Sequence, residues 1–173
     1  MKKAFFLDRD GTINVDHGYV HEFASWEFTE GALEALRLIN LHDYLAIVVT
    51  NQSGIGRGMY GEADLLLLHS KVDSVLAMHG VRIDAYYYCP HLPDDGCDCR
   101  KPRLGMYRKA IADFDIDAAQ SITIGDKPSD VERVHELGIS KRALVGLEWE
   151  NCGIIRFSRM YDAVVHWISI NNT

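Results

Sequence analysis

The chain has 173 residues, 47% hydrophobic and 25% charged, and 25 acidic side chains against 18 basic ones give a formal net charge of −7. That apolar fraction with only four prolines excludes disorder and collagen-like composition, and the length suits one hydrophobic core. The acidic balance excludes polyanion binding over a broad surface, so neither nucleic acid nor an anionic membrane is an expected partner, and no apolar run approaches a bilayer span.

At the N-terminus, Met1-Lys2-Lys3 precedes the apolar stretch Ala4 to Leu7, which Asp8 ends too early for a secretory leader, so a cytoplasmic chain is expected. Strand character falls at 3–8, 44–50, 83–89, 121–125 and 142–146, each short, apolar and bounded by turn formers. Helical period falls at 31–41, 63–79, 106–114, 129–137 and 161–170. In the second of these, Leu65, Leu68, Val72 and Val75 share one face, and Gly138 stands where the helix beginning near Pro128 should stop. Near-continuous apolar strands alternating with helices predict an α/β fold. It is a doubly wound, Rossmann-like three-layer sandwich around a mostly parallel sheet, formed as a single domain over 1–173. Residues 147–160 carry the weakest pattern, and no apolar stripe demands a partner, so a monomer is expected. Ligands in such sheets bind at the carboxyl ends of strands, and Asp8, Thr50, Cys89 and Asp126 all fall at or just after such ends.

Asp8-Arg9-Asp10-Gly11-Thr12 places two carboxylates on a tight turn. Asp8 can attack phosphorus, forming a mixed anhydride that water cleaves readily, and Asp10 can give and then take the proton this requires. Alone, D-x-D after a strand is a weak signal and favours a turn with a helix cap slightly. Asp126 brings a further carboxylate to the same edge; such groups repel unless a cation intervenes, and Mg²⁺ suits Asp8, Asp126 and the Asp10 carbonyl together. Asp130 reads as support at a helix start. Thr50-Asn51-Gln52-Ser53 offers hydroxyl and amide donors to phosphate, and Arg100-Lys101 offers two cations.

Cys89, His91, Cys97 and Cys99 make a complete tetrahedral zinc set with no position left for water, so the expected Zn²⁺ is structural. It would tie the loop 89–101 and fix Arg100 and Lys101 against the phosphate site. A disulfide is disfavoured in a cytoplasmic chain, and Cys152 reads as an ordinary thiol.

In this order, D-x-D-G-T, T-N-Q-S-G, R-K-P and G-D-K-x-x-D resemble the four motifs of the haloacid dehalogenase-like phosphohydrolases over residues 5–146. The resemblance implies Asp8 as nucleophile, Asp10 as acid/base, Thr50 and Lys101 on phosphate, and Asp126 on Mg²⁺. The stretch from Gly11 to Val20 and the Cys/His loop are similar to those of the heptose 1,7-bisphosphate phosphatases, with histidinol-phosphate phosphatases as neighbours. That similarity implies no large cap domain and removal of the phosphate at carbon 7. The implied substrate contacts, besides the motif residues, are Arg9, Asp16, His17, Gly18, Tyr19, Asn51, Gln52, Ser53, Arg100 and Lys127. A retained second phosphate needs further cations, for which Arg9, Arg57 and Arg100 are candidates. The alternative substrate, histidinol phosphate, carries an ammonium that Asp16 and Tyr19 could receive. A non-catalytic phosphate- or zinc-binding module is the remaining reading, and the pairing of Asp8 with Asp10 argues against it. The sequence departs from the family pattern at 131–136 and after Gly146.

Overall fold

The first strand, β1 (Lys3–Leu7), buries Ala4 through Leu7 completely, with Ala4 and Phe6 in one apolar layer and Phe5 and Leu7 in the other. The second, β2 (Tyr44–Asn51), repeats this division, sending Ala46 and Val48 one way and Ile47 and Val49 the other. Strands apolar on both faces belong inside a sheet covered on both sides. The computed structural model describes residues 1–146 and 153–171. The Cys152 thiol and part of the weakly patterned stretch lie outside them.

The remaining strands are β3 (Ala85–Cys89), β4 (Ile122–Gly125), β5 (Lys141–Val145) and β6 (Ile155–Phe157), in the spatial order β3-β2-β1-β4-β5-β6. Every strand pair is parallel, so the sheet is more uniform than the mostly parallel one expected. Helices α1 (Ala32–Leu41), α3 (Glu62–Met78) and α6 (Met160–Asn171) contribute side chains to the layer of Phe5 and Leu7. On the opposite face, α4 (Gly105–Phe114) packs Met106, Tyr107 and Ala110 against Phe6. The doubly wound three-layer sandwich is therefore present. Between β1 and α1 lie only loops and a 3-10 turn at Phe23–Ser25, and between β2 and α3 only the short helix α2 (Ser53–Gly56), so no cap domain is inserted.

Three elements differ from the sequence expectation. The buried stripe of α3 is completed by His69 and Leu76, with Val75 at its margin. The helix expected over 129–137 is broken into α5 (Pro128–Val131) and a 3-10 turn at Val134–Leu137. Side chains intercept the carbonyls there: Tyr107 Oη donates to Asp130 O at 2.7 Å, and Arg142 Nη1 donates to Val131 O at 3.3 Å and Glu132 O at 3.1 Å. Gly138, at φ 92°, ends the turn as expected. The third difference is β6, three largely exposed residues that the sequence pattern did not reveal.

Candidate active site

The strand order reverses between β1 and β4, and a crevice opens beyond the carboxyl ends of strands at such a point. Asp8 leaves β1 there, its N–H donating to Ile124 O at 3.0 Å, and Asp126 leaves β4 beside it. Asp130, in the single turn of α5, completes the group: one oxygen from each of the three carboxylates lies within 4.8 Å of the others. Only glycine fits at position 11. Its φ is +88°, and a Cβ would stand 2.3 Å from Asp126 Oδ2.

A buried cation faces this group. Lys101, 3% exposed, donates from Nζ to Asp8 Oδ1 at 2.6 Å and Val49 O at 2.6 Å, and lies 2.8 Å from Asp130 Oδ1. Its backbone is strapped to β2: Lys101 N–H donates to Asn51 Oδ1 at 3.0 Å and Asn51 Nδ2 returns a bond to Lys101 O at 3.2 Å. Both oxygens of Asp130 are engaged, the second accepting from Lys127 N–H at 2.9 Å. That fits its reading as support, with the added part of holding Lys101. Burial and then the charge of Asp130 push the Asp8 carboxyl well above the usual carboxylate range, against the pull of Lys101. The same two causes raise Asp126 to about 6, although Lys127 lowers it. Carboxylates pressed together and destabilised as anions form a hard oxygen donor set suited to Mg²⁺.

The Asp10 side chain turns away from this cluster. Its Oδ1 accepts from Arg9 Nη2 at 2.8 Å and Asn14 Nδ2 at 3.0 Å, and its Oδ2 from Arg9 Nε at 3.1 Å and Gln52 Nε2 at 2.9 Å. Gln52 Nε2 also donates to Thr50 Oγ1 at 2.8 Å, while Gln52 Oε1 accepts from Tyr60 Oη at 2.6 Å. A cleft of about 200 Å³ opens here. The loop after β1 supplies Asp10, Asp16, Gly18 and Tyr19, and the junction of β2 with α2 supplies Asn51, Gln52 and Ser53. Lys127 and Tyr60 close it, with Lys127 Nζ 3.7 Å from Asp16 Oδ2 and 3.5 Å from Asp126 Oδ2.

Four residues read as substrate contacts or cations are placed elsewhere. Arg9 has no exposed surface, and its guanidinium clamps Asp10 instead of facing the cleft. Arg100 Nη1 donates to His91 O at 3.3 Å, inside the Cys/His loop, and Arg57 is exposed at the end of α2. Neither lines the cleft. His17 pairs through Nε2 with Glu27 Oε2 at 2.8 Å on the exposed outer side of its loop. Sequence reading missed Asn14, Tyr60 and His69. Asn14 lies four residues after Asp10, just past the D-x-D-G-T motif, which was the only local sign of its contact; Tyr60 and His69 are joined to the site only through tertiary packing.

Cys89, His91, Cys97 and Cys99 come together as expected. Cys99 Sγ is 3.0 Å from Cys89 Sγ, Cys97 Sγ is 3.6 Å from Cys89 Sγ, and His91 Nδ1 is 3.2 Å from Cys99 Sγ. No pair is bonded as a disulfide, and three soft thiols with one imidazole fit a closed zinc site. The loop runs from the end of β3 directly into Lys101. Among the described residues no helix is long and apolar enough to cross a membrane.

The family described as polynucleotide kinase 3 phosphatase matches residues 3–139. The D-glycero-beta-D-manno-heptose-1,7-bisphosphate 7-phosphatase of Haemophilus ducreyi is 46% identical over 151 residues, covering 83% of each chain. That of Pasteurella multocida is 48% identical over 137 residues, 76% of this chain and 74% of the relative. Among solved structures, the D,D-heptose 1,7-bisphosphate phosphatase from B. bronchiseptica, complexed with magnesium and phosphate, superposes with a TM-score of 0.85 at 32% identity, covering 97% of this chain and 99% of that one. The chain thus belongs to the haloacid dehalogenase-like phosphatases and, within them, to the family of the D-glycero-beta-D-manno-heptose-1,7-bisphosphate 7-phosphatases.

Proposed function

We infer that the chain hydrolyses the C7 phosphate of D-glycero-D-manno-heptose 1,7-bisphosphate and leaves heptose 1-phosphate. The observation that carries the chemistry is the buried Lys101 ammonium 2.6 Å from Asp8 Oδ1, beside Asp126 and Asp130 at the β1/β4 crevice. The Haemophilus ducreyi relative is named for that substrate, which supports the choice of ester. Asp8 attacks phosphorus; the bond to the C7 oxygen breaks as Asp10 protonates that oxygen, leaving an aspartyl phosphate. Asp10 then takes a proton from water, whose oxygen attacks the same phosphorus and releases inorganic phosphate and free Asp8. Lys101 and the Thr50 hydroxyl hold the transferring oxygens. Asp8, Asp126 and the Asp10 carbonyl would hold Mg²⁺, which would supply charge neutralisation at the phosphoryl group.

The sugar lies in the cleft between Asp16, Gly18, Tyr19 and the 51–53 turn, with Lys127 the one cation at its wall among the described residues. The whole reads as a single phosphatase domain, a cytoplasmic monomer whose 89–101 loop is set by structural zinc. Phosphate release from heptose 1,7-bisphosphate and from histidinol phosphate, with and without Mg²⁺, tests the reading. Mg²⁺-dependent release from the heptose ester, lost in Asp8→Asn, is expected. Preference for histidinol phosphate would overturn the substrate, and release by Asp8→Asn would overturn the nucleophile.

A further inference from the structure

The guanidinium of Arg9 is fully enclosed and carries a permanent charge, so each of its N–H groups needs an acceptor inside the protein. Nε and Nη2 hold the two oxygens of Asp10, and Nη2 also donates to Val20 O at 2.5 Å. The Nη1 group faces His69 Nε2 at 3.4 Å, on α3. A cation that cannot release its proton can be met only by a lone pair, which fixes the proton of His69 on Nδ1.

The surroundings of His69 fit that tautomer. Its ring stacks on Tyr86 of β3, with centroids 4.1 Å apart and planes 13° from parallel, and Tyr86 Oη is itself tied to Asp73 Oδ1 at 2.7 Å. Among the described residues Nδ1 has no hydrogen-bond partner. A buried donor without an acceptor is unfavourable, so this ring is oriented for what Nε2 does, not for Nδ1. Burial and the charge of Arg9 hold the imidazole down to about 3, so it remains a neutral acceptor.

We propose that His69 is a positioning residue for the acid/base step, fixing Arg9 through Nη1 so that Arg9 holds the Asp10 carboxyl in register with the leaving oxygen. This rests on Asp10 being the acid/base, as inferred above. Without the acceptor at position 69, Nη1 turns toward another partner and the two bonds from Arg9 to Asp10 lose their common geometry. The consequence is confined to proton transfer. Expulsion of an alkoxide from a sugar phosphate requires the acid, whereas p-nitrophenolate leaves without it.

The test compares kcat/KM of the Mg²⁺- and zinc-loaded protein on heptose 1,7-bisphosphate and on p-nitrophenyl phosphate, for wild type, His69→Leu and His69→Gln. The leucine variant should lose about 10- to 100-fold on the heptose ester, within the range general acid catalysis supplies, and about twofold or less on the aryl ester. The glutamine variant, whose Oε1 reaches the Nε2 position, should recover the heptose ester to within about threefold of wild type. Equal losses on both esters, no loss on either, or a glutamine variant as impaired as the leucine one would each overturn the role of His69. Should the leucine variant not fold, His69→Asn, whose amide stops short of Arg9, takes its place in the same comparison. A wild-type protein that turns over neither ester overturns the phosphatase reading itself, a result distinct from all of these.

Discussion

The Lys101 ammonium stands 2.6 Å from Asp8 Oδ1 although the two residues are 93 positions apart in the chain, and neither side chain is more than 9% exposed. Lys101 is also held by Asp130, so it neutralises two buried carboxylates at once. Replacing it by methionine leaves both without a cation, and removing one member of a buried ion pair costs about 3–5 kcal/mol. Urea unfolding of the metal-free Lys101→Met protein should register a loss of that order at pH 8. The loss should shrink toward pH 5. Asp8 is raised in the folded state, so its contribution is fully present below its ordinary pKa and is lost as pH rises through the raised one. A loss independent of pH would exclude uncompensated carboxylates as its cause.

Position 11 gives a test of the metal group that leaves every ionisable side chain in place. A Cβ there would meet Asp126 Oδ2 at 2.3 Å and Asp126 Cγ at 2.7 Å, and the backbone sits at φ +88°. Gly11→Ala should displace Asp126, lowering Mg²⁺ affinity by at least about tenfold in calorimetric titration, besides about 1 kcal/mol of backbone strain. Unchanged Mg²⁺ affinity would separate Asp126 from the metal.

How far the sequence could be read follows from which interactions are local. The strand ends, Gly138 and the four motif loops were legible because each depends on a short run of residues. Arg9 was read as a substrate contact because a charged side chain next to two catalytic-type carboxylates reads as a ligand for substrate; only the packing of α3 against the first loop reveals that it is sealed beneath Asp10. The break after α5 was invisible for a similar reason, since the side chains that take its carbonyls, Tyr107 and Arg142, come from α4 and β5. Asp130 was legible as a helix-start residue, but its bond to Lys101 joins segments far apart in sequence.

The Cys/His loop should govern activity through Lys101. Cys89 ends β3 and Cys99 stands two residues before Lys101, whose backbone is then fastened to Asn51. Titrating the thiols with an organomercurial should release one equivalent of zinc per chain, detected with a chromogenic chelator. Phosphatase activity should fall in proportion to the zinc released, because the segment leading into Lys101 loses its anchor. Full activity after complete zinc release would disconnect the loop from the site.

His69 also predicts how stability depends on pH. Burial and then Arg9 lower its imidazole from 6.5 to about 3, so the unfolded chain binds a proton in a range where the folded one does not. A depressed folded pKa gives stability that is present above 6.5 and is lost as pH falls toward 3. At about 1.4 kcal/mol per pH unit, the interval from 6.5 to 5 carries roughly 2 kcal/mol from this one ring. Glutamine at position 69 keeps an acceptor for Arg9 but cannot titrate, so His69→Gln should lose roughly 2 kcal/mol less than wild type over that interval. Urea unfolding of both proteins at pH 6.5 and 5 measures the difference directly, and equal losses would mean that the ring is protonated in the folded state and cannot be an acceptor for the Arg9 guanidinium.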